Sequence, residues 1–141
     1  MVDADLVAAK LAELRRRMER VSAHTPRDEE ALSADVDALD LVSFNLLLCV
    51  QAALDVGSHI IADEGWAPAA TLGETFDRLH EGGVLSADVA GAMRKAAGLR
   101  NVVAHGYAAV DMKVVFNAAT TGLVDLETFA REVAAWTKAR G

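Results

Sequence analysis

The chain has 141 residues, of which 52% are hydrophobic and 25% are charged, and its formal net charge is −7 at pH 7. This length suffices for one domain with its own core. The acidic balance argues against broad non-specific nucleic-acid binding, which needs clustered lysine and arginine. Abundant alanine, with Pro26 and Pro68 as the only prolines, favours an all-α fold over a β-sandwich or barrel. We therefore expect a single all-α domain over residues 1–141.

Three features bear on the compartment. The longest run of large apolar residues, 46–50, is far shorter than the ~20 residues that span a bilayer. The first ten residues are acidic and contain no apolar signal-peptide core. Cys49 is the only cysteine and lies within the apolar run, so it cannot form an internal disulfide. We expect a cytoplasmic protein, with no membrane contact and with Cys49 buried.

The first half of the chain shows helical periodicity. A 4-3-4-3 spacing of apolar residues predicts one buried helical stripe, made by Val7, Leu11, Leu14, Met18 and Val21. Thr25-Pro26 has the pattern of an N-cap followed by a first helical residue, so we expect a second helical region from there to about Asp63. Polar residues near Ser33 predict a break in it. Residues 39–61 are apolar on most of the circumference and are expected to be the most buried segment.

Capping signals divide the second half. The segment 71–74, TLGE, has capping-box spacing and predicts a short helix that ends at Gly82-Gly83. Ser86 is expected to cap the next helix, and Asp111 and Asp125 two more. The expected architecture is an antiparallel helical bundle of four principal helices with short additional helices.

The helix after Ser86 contains the stretch RNVVAHGY, residues 100–107. Its apolar seam includes Arg100 and Tyr107, and a buried guanidinium requires either a carboxylate or a groove that admits an anion. His105 follows Arg100 by five residues, about 140° around a regular helix, so the two would not converge within one chain. Asn101 does share a face with His105. A two-fold dimer would bring two arginines and two histidines around one cleft.

These groups suit phosphate chemistry. A histidine can take or give a proton near neutrality, and a guanidinium can hold a phosphate and stabilise the charge that develops on it. RNA supplies its own nucleophile, the 2′-hydroxyl, so such cleavage needs no metal. The ordinary alternative is a surface arginine in an ion pair and a histidine at a helix end.

The spacing Arg100, His105, Tyr107 resembles the R-x4-H-x-Y signature of the HepT-like toxins in the HEPN superfamily, and Asn101 matches the usual RN opening. The segments 52–68 and 71–90 also resemble that family's LDxxxHII and T-x-x-E-x-F stretches. The likeness covers roughly residues 39–136.

The resemblance implies a HEPN-like helical bundle, a homodimer with the motif at its interface, and a metal-independent endoribonuclease that uses no cofactor. It assigns Arg100 to holding the phosphate, His105 to proton transfer and Asn101 to orienting the substrate or His105. It also implies a type VII toxin–antitoxin system, in which an MntA-like minimal nucleotidyltransferase antitoxin silences the RNase by AMPylation of Tyr107.

Other polar groups lie outside the motif. Asp55, His59 and Asp63 share one helix face, but one helix supplies too few convergent ligands for a metal site, so we expect none. Asp55 and His59 are instead candidates for lining the cleft, with Asp55 as a partner of Arg100. The basic cluster Arg15–Arg20 is either a solvated face or a surface for RNA or the antitoxin.

Two other functions remain compatible with the sequence. The chain could be a non-catalytic helical partner of a nucleotidyltransferase that binds nucleotide or the enzyme, which the acidic charge favours. It could also be a structural dimerisation module. The presence of both Arg100 and His105 favours the RNase.

Overall fold

The structure, a computed structural model, describes residues 2–104 and 112–140, and for residues 101–104 it describes the backbone alone. All regular structure within these residues is α-helical, which confirms the predicted fold class. The helices are α1 Ala4–His24, α2 Glu29–Ala34, α3 Val36–Glu64, α4 Leu72–Glu81, α5 Ala87–Ala104, α6 Met112–Ala119 and α7 Thr121–Arg140. Four are long (α1, α3, α5 and α7), and the three short ones connect them.

Side-chain contacts fix the direction of α1 against α3. The backbone N–H of Asp3, before α1, donates to Nε2 of His59 near the end of α3, over 3.4 Å. Nη1 of Arg17, near the end of α1, donates to Oδ1 of Asn45 near the start of α3, over 3.3 Å. The two helices are therefore antiparallel.

The other two long helices complete the bundle. Arg140 at the end of α7 forms an ion pair with Glu64 at the end of α3, so these two helices run the same way. Leu99 near the end of α5 packs in one apolar cluster with Leu46 near the start of α3. Thus α1 and α5 run one way and α3 and α7 the other, as expected of an antiparallel bundle.

The core has two parts of unequal size. The larger joins α1, α3, α4, α5 and α7, and Phe76 and Phe129 meet within it edge to face with ring centroids 5.9 Å apart. The smaller lies at the end of the bundle where α5 ends. It consists of Val21, Leu32, Val42, Leu46, Leu99, Val115 and Ala119.

Several helix ends match the sequence analysis. The α1 stripe is buried as predicted, apart from Met18, which is partly exposed. Thr71 caps α4 by accepting from the N–H of Glu74, and α4 ends before Gly82. Oγ of Ser86 accepts from the N–H of Val89 over 3.4 Å at the start of α5. The helical region after α1 breaks at Asp35, two residues beyond the predicted position.

Two predicted N-caps are wrong. Thr25 ends α1 instead of starting α2, because its hydroxyl donates to the carbonyl of Val21 over 2.6 Å. Asp28 caps α2, accepting from the N–H of Ala31 over 2.8 Å. Asp125 lies inside α7, which begins four residues earlier at Thr121. The predicted cap at Asp111 lies outside the described residues.

The third helix satisfies the length and hydropathy that a membrane span requires. Val36–Glu64 has 29 residues, and the mean hydropathy of its most apolar window is 1.6. However, 56% of that window is buried against other helices of the bundle. This burial is typical of the central helix of a packed bundle, and it confirms that residues 39–61 form a buried core segment.

Candidate functional site

Helix α5 carries the start of the motif. It begins after Ser86 with Asp88 in its first turn, where a carboxylate interacts favourably with the helix dipole. It continues to Ala104, so Arg100 and Asn101 are both helical. His105 and Tyr107 lie outside the described residues, and so does the side chain of Asn101. The structure therefore places one of the four predicted motif side chains.

The guanidinium of Arg100 is not satisfied by the neighbouring groups that the structure describes. Leu99 beside it is only 8% exposed and packs in the smaller cluster, which fixes the orientation of this turn. The Nε atom of Arg100 is buried and has no hydrogen-bond partner among the described residues. Among the described residues, no carboxylate lies within ion-pair distance of its guanidinium. A buried donor without a partner costs about 1–3 kcal/mol, so this site favours an anion that accepts from it.

The expected pairing of Asp55 with Arg100 is absent from the structure. Asp55 instead forms an ion pair with Lys10 of α1 over 3.6 Å. It also accepts a hydrogen bond from Nε2 of Gln51 over 2.9 Å. His59 likewise contacts the beginning of α1, through Asp3. Both residues therefore face α1 in the bundle, and a place for them beside the cleft stays a prediction.

The Asp55, His59 and Asp63 stripe does not gather further ligands. Within the described ranges, no group of three or more His, Cys, Asp or Glu side chains is close enough to share a metal ion. Asp55 and His59 also have the other partners given above.

A groove runs along α5 and ends at Leu99, the residue before the motif. It has a volume of about 760 Å³ and lies between α5, α6, α7 and the middle of α3. Small residues on one face of α5, Ala87 and Gly91, leave room for it, and Leu99 lines the end nearest Arg100. The sequence did not predict this groove, because its lining comes from several helices. The four-residue spacing of Ala87, Gly91 and Lys95 was the one available signal.

The two tryptophans pack against each other. Trp66, after α3, and Trp136 of α7 have ring centroids 6.2 Å apart. Arg140 covers Trp136, with its guanidinium carbon 4.8 Å from the ring centroid. This packing gives both tryptophans a structural role. They tie the end of α3 to the end of α7, away from Arg100.

Comparison with known families gives the chain its class. The model of the ribonuclease HepT-like family matches residues 14–133, which include α3, α5 and the whole motif. The chain belongs to the HepT-like ribonuclease family. This membership confirms the resemblance seen in the sequence, and it confirms that the chain is an endoribonuclease by class.

The similarity to HepT-like relatives extends over almost the whole chain. An mRNA nuclease HepT from Shewanella oneidensis is 24% identical over 125 residues, which are 89% of this chain and 93% of that protein. A tri-AMPylated HEPN toxin from Shewanella oneidensis, solved in complex with an MNT antitoxin, has a TM-score of 0.85 at 24% identity. That alignment covers 93% of this chain and 98% of the toxin.

Two further structures share the HepT-like fold. A toxin–antitoxin structure with AMP-PNP has a TM-score of 0.87 at 23% identity, covering 93% of this chain and 98% of that one. YutE from Bacillus subtilis, a cytosolic protein of unknown function, has a TM-score of 0.84 at 13% identity, covering 99% of this chain and 93% of YutE. The HEPN-like bundle is therefore the fold of this chain.

Proposed function

We propose that this chain is a metal-independent endoribonuclease toxin that cleaves RNA at a cleft between two copies of itself. Arg100 holds the scissile phosphate and stabilises its developing charge, and His105 transfers protons. Asn101 orients the substrate or His105. The observation that carries this proposal is the buried Nε of Arg100, which lacks a partner in the described part of a chain that belongs to the HepT-like ribonuclease family.

The proposed reaction uses the 2′-hydroxyl of RNA as nucleophile. One His105 takes the proton from O2′, which attacks the adjacent phosphorus while the bond from phosphorus to O5′ breaks. His105 of the partner subunit gives a proton to the departing O5′. The products are a 2′,3′-cyclic phosphate and a 5′-hydroxyl. Arg100 contributes most when negative charge peaks on the phosphoryl oxygens, because a fixed guanidinium needs no reorganisation.

We also propose that a minimal nucleotidyltransferase acts as the antitoxin in the cytoplasm. The enzyme would transfer AMP from ATP to the phenolic oxygen of Tyr107, with release of pyrophosphate. The added phosphodiester brings negative charge and bulk into a site that must admit RNA phosphate, so repulsion and blockage act together. The support is the AMPylated Shewanella oneidensis toxin, which shares the fold and was solved with an MNT antitoxin.

Cleavage of total RNA in the presence of EDTA tests the proposal. Unmodified wild type should cut, whereas Arg100→Ala and His105→Ala should lose activity while they stay folded and dimeric. Arg94→Ala is the matched control, because Arg94 lies on the same helix, is exposed and pairs with Asp77. It should cut like wild type, since loss of an exposed ion pair lowers protein stability by at most about 1 kcal/mol.

Two other outcomes would contradict the proposal. Full cleavage by either Arg100→Ala or His105→Ala would remove the assigned roles. If wild type with an unmodified Tyr107 cuts no RNA, the chain is the non-catalytic partner of a nucleotidyltransferase instead.

A further inference from the structure

The arginines of this chain fall into two groups by their partners. Six form ion pairs with carboxylates, namely Arg15, Arg27, Arg78, Arg94, Arg131 and Arg140. In the part of the chain that the structure describes, the other four have no carboxylate within ion-pair distance. One of them is Arg100, and the other three, Arg16, Arg17 and Arg20, lie together on α1.

These three arginines form one surface, which we call the α1 basic face. On a regular helix, Arg16, Arg17 and Arg20 lie within an arc of about 100°, and Arg16 and Arg20 are about 6 Å apart along the axis. They line a shallow concavity of about 500 Å³ together with His24. Arg16 and Arg20 are exposed, so both guanidinium groups are open to a ligand.

The neighbouring groups do not neutralise this face. Glu13, at its edge, is engaged by Lys10 over 3.8 Å. Arg17 donates to the amide oxygen of Asn45, which positions the guanidinium without cancelling its charge. Glu19 contributes one negative charge at the margin, so the local balance is positive on a chain whose net charge is −7.

The α1 basic face lies at the same end of the bundle as Arg100. Val21, which follows Arg20, packs in the same small apolar cluster as Leu99, which precedes Arg100. The four arginines without carboxylate partners among the described residues are therefore at one end of the bundle, on two helices that each pack against α3 and α7. On an acidic protein, such an arrangement fits a polyanion that contacts both places.

We propose that the α1 basic face binds the phosphate backbone of single-stranded RNA at the same end of the bundle as Arg100. This inference rests on the proposed RNase function. Guanidinium groups bind phosphates in fork geometry, and each neutralised phosphate releases counterions, so affinity gained here falls with salt. The surface thus holds the substrate without taking part in the reaction, and it explains how an acidic chain retains RNA.

The test compares two variants that lose the same two charges. Arg16→Gln/Arg20→Gln removes the exposed part of the α1 basic face. Arg131→Gln/Lys138→Gln is the control, because both residues are exposed on α7, towards the end of the bundle far from Arg100. Circular dichroism and size-exclusion chromatography establish that each variant is folded and assembled like wild type.

Binding is measured by fluorescence anisotropy with a labelled 2′-O-methyl RNA 20-mer of mixed sequence, which keeps the phosphates but cannot be cleaved. For single strands, each phosphate contact contributes about 0.7 to the slope of log affinity against log salt. Losing two contacts should reduce the slope by about 1.4 and weaken binding about 25-fold at 0.1 M salt. Cleavage at limiting RNA should fall by a similar factor, and the control should match wild type.

Failure of this inference is distinguishable from failure of the RNase proposal. If wild type cleaves RNA in an Arg100-dependent manner but the α1 variant keeps the wild-type slope and affinity, the α1 basic face does not bind RNA. Equal losses in the α1 variant and the control would overturn it too, since only net charge would then matter. Weaker binding of polyglutamate by the α1 variant with unchanged RNA binding would assign the surface to an acidic protein.

Discussion

Substitution of Gly82, in the turn after α4, should change the stability of the protein through two opposing effects. Gly82 has φ −80° and ψ 0°, a conformation that alanine can adopt. Gly82→Ala would therefore stabilise the protein by about 0.4–1 kcal/mol if space allowed, because the unfolded chain would lose entropy. Space does not allow it. The new methyl carbon would lie 2.1, 2.4 and 2.6 Å from Cη2, Cζ3 and Cζ2 of Trp66.

The tryptophan ring cannot yield cheaply. It is rigid, and it packs against Trp136 at a centroid distance of 6.2 Å. Overpacking of this kind costs about 1–3 kcal/mol, which exceeds the entropic gain. We expect Gly82→Ala to lower the free energy of unfolding by about 1–2 kcal/mol, a fall in Tm of roughly 3–8 °C for a chain of this size.

Urea unfolding followed by circular dichroism measures this change, at one protein concentration because assembly affects apparent stability. Gly91→Ala is the control, since its methyl would meet nothing within 4 Å inside α5, and it should gain about 1 kcal/mol. In a Trp66→Ala background, Gly82→Ala should become neutral or stabilising. A Gly82→Ala protein as stable as wild type, or the same loss in both backgrounds, would refute the reasoning.

Three further predictions concern buried and capping residues. Phe129→Ala should lose about 3–5 kcal/mol of stability in urea, because Phe129 is fully buried against Phe76, whereas exposed Arg131→Ala should stay within about 0.5 kcal/mol. Burial raises the pKa of the Cys49 thiol from 9.0 to about 12. Native protein should therefore react with DTNB far more slowly than protein in urea. The thiol of the unfolded chain loses its proton at a lower pH than the thiol of the folded chain. The contribution of the protonated, buried thiol to stability is therefore intact below about pH 9 and is lost between pH 9 and 12. Cys49→Ala should make the decline of Tm with pH shallower over that window. Thr71→Ala should cost about 1 kcal/mol through loss of the α4 cap, and an unchanged urea midpoint would contradict it.

Periodicity predicted the helix faces well. The 4-3-4-3 stripe of α1 and the apolar circumference of α3 correspond to buried residues, because burial of an apolar face decides how a helix is oriented. The same pattern could not place the helix ends. Thr25 and Asp125 have side chains that cap well, but the hydroxyl of Thr25 bonds backwards to α1 and Asp125 lies within α7.

The candidate site, like the helices, was predicted from the sequence only in part. The spacing of Arg100, His105 and Tyr107 predicted the family, which the match over residues 14–133 confirms. Their surroundings depend on which helix covers which face, and a single helix pattern does not contain that information. Asp55 was expected to meet Arg100, but α1 brings Lys10 to it instead. The groove along α5 was missed for the same reason, since several helices must pack before it exists.

The buried Nε of Arg100, which has no hydrogen-bond partner among the described residues, sets the stability of the resting protein against the activity proposed for this residue. A buried Nε without an acceptor weakens the empty fold, and an apolar residue of similar length would remove the penalty. Arg100→Met should therefore melt at a higher temperature than wild type in the absence of RNA. Added oligonucleotide should then raise the Tm of wild type more than that of the variant. A single substitution should therefore give a more stable variant of this enzyme, and we expect that variant to be inactive.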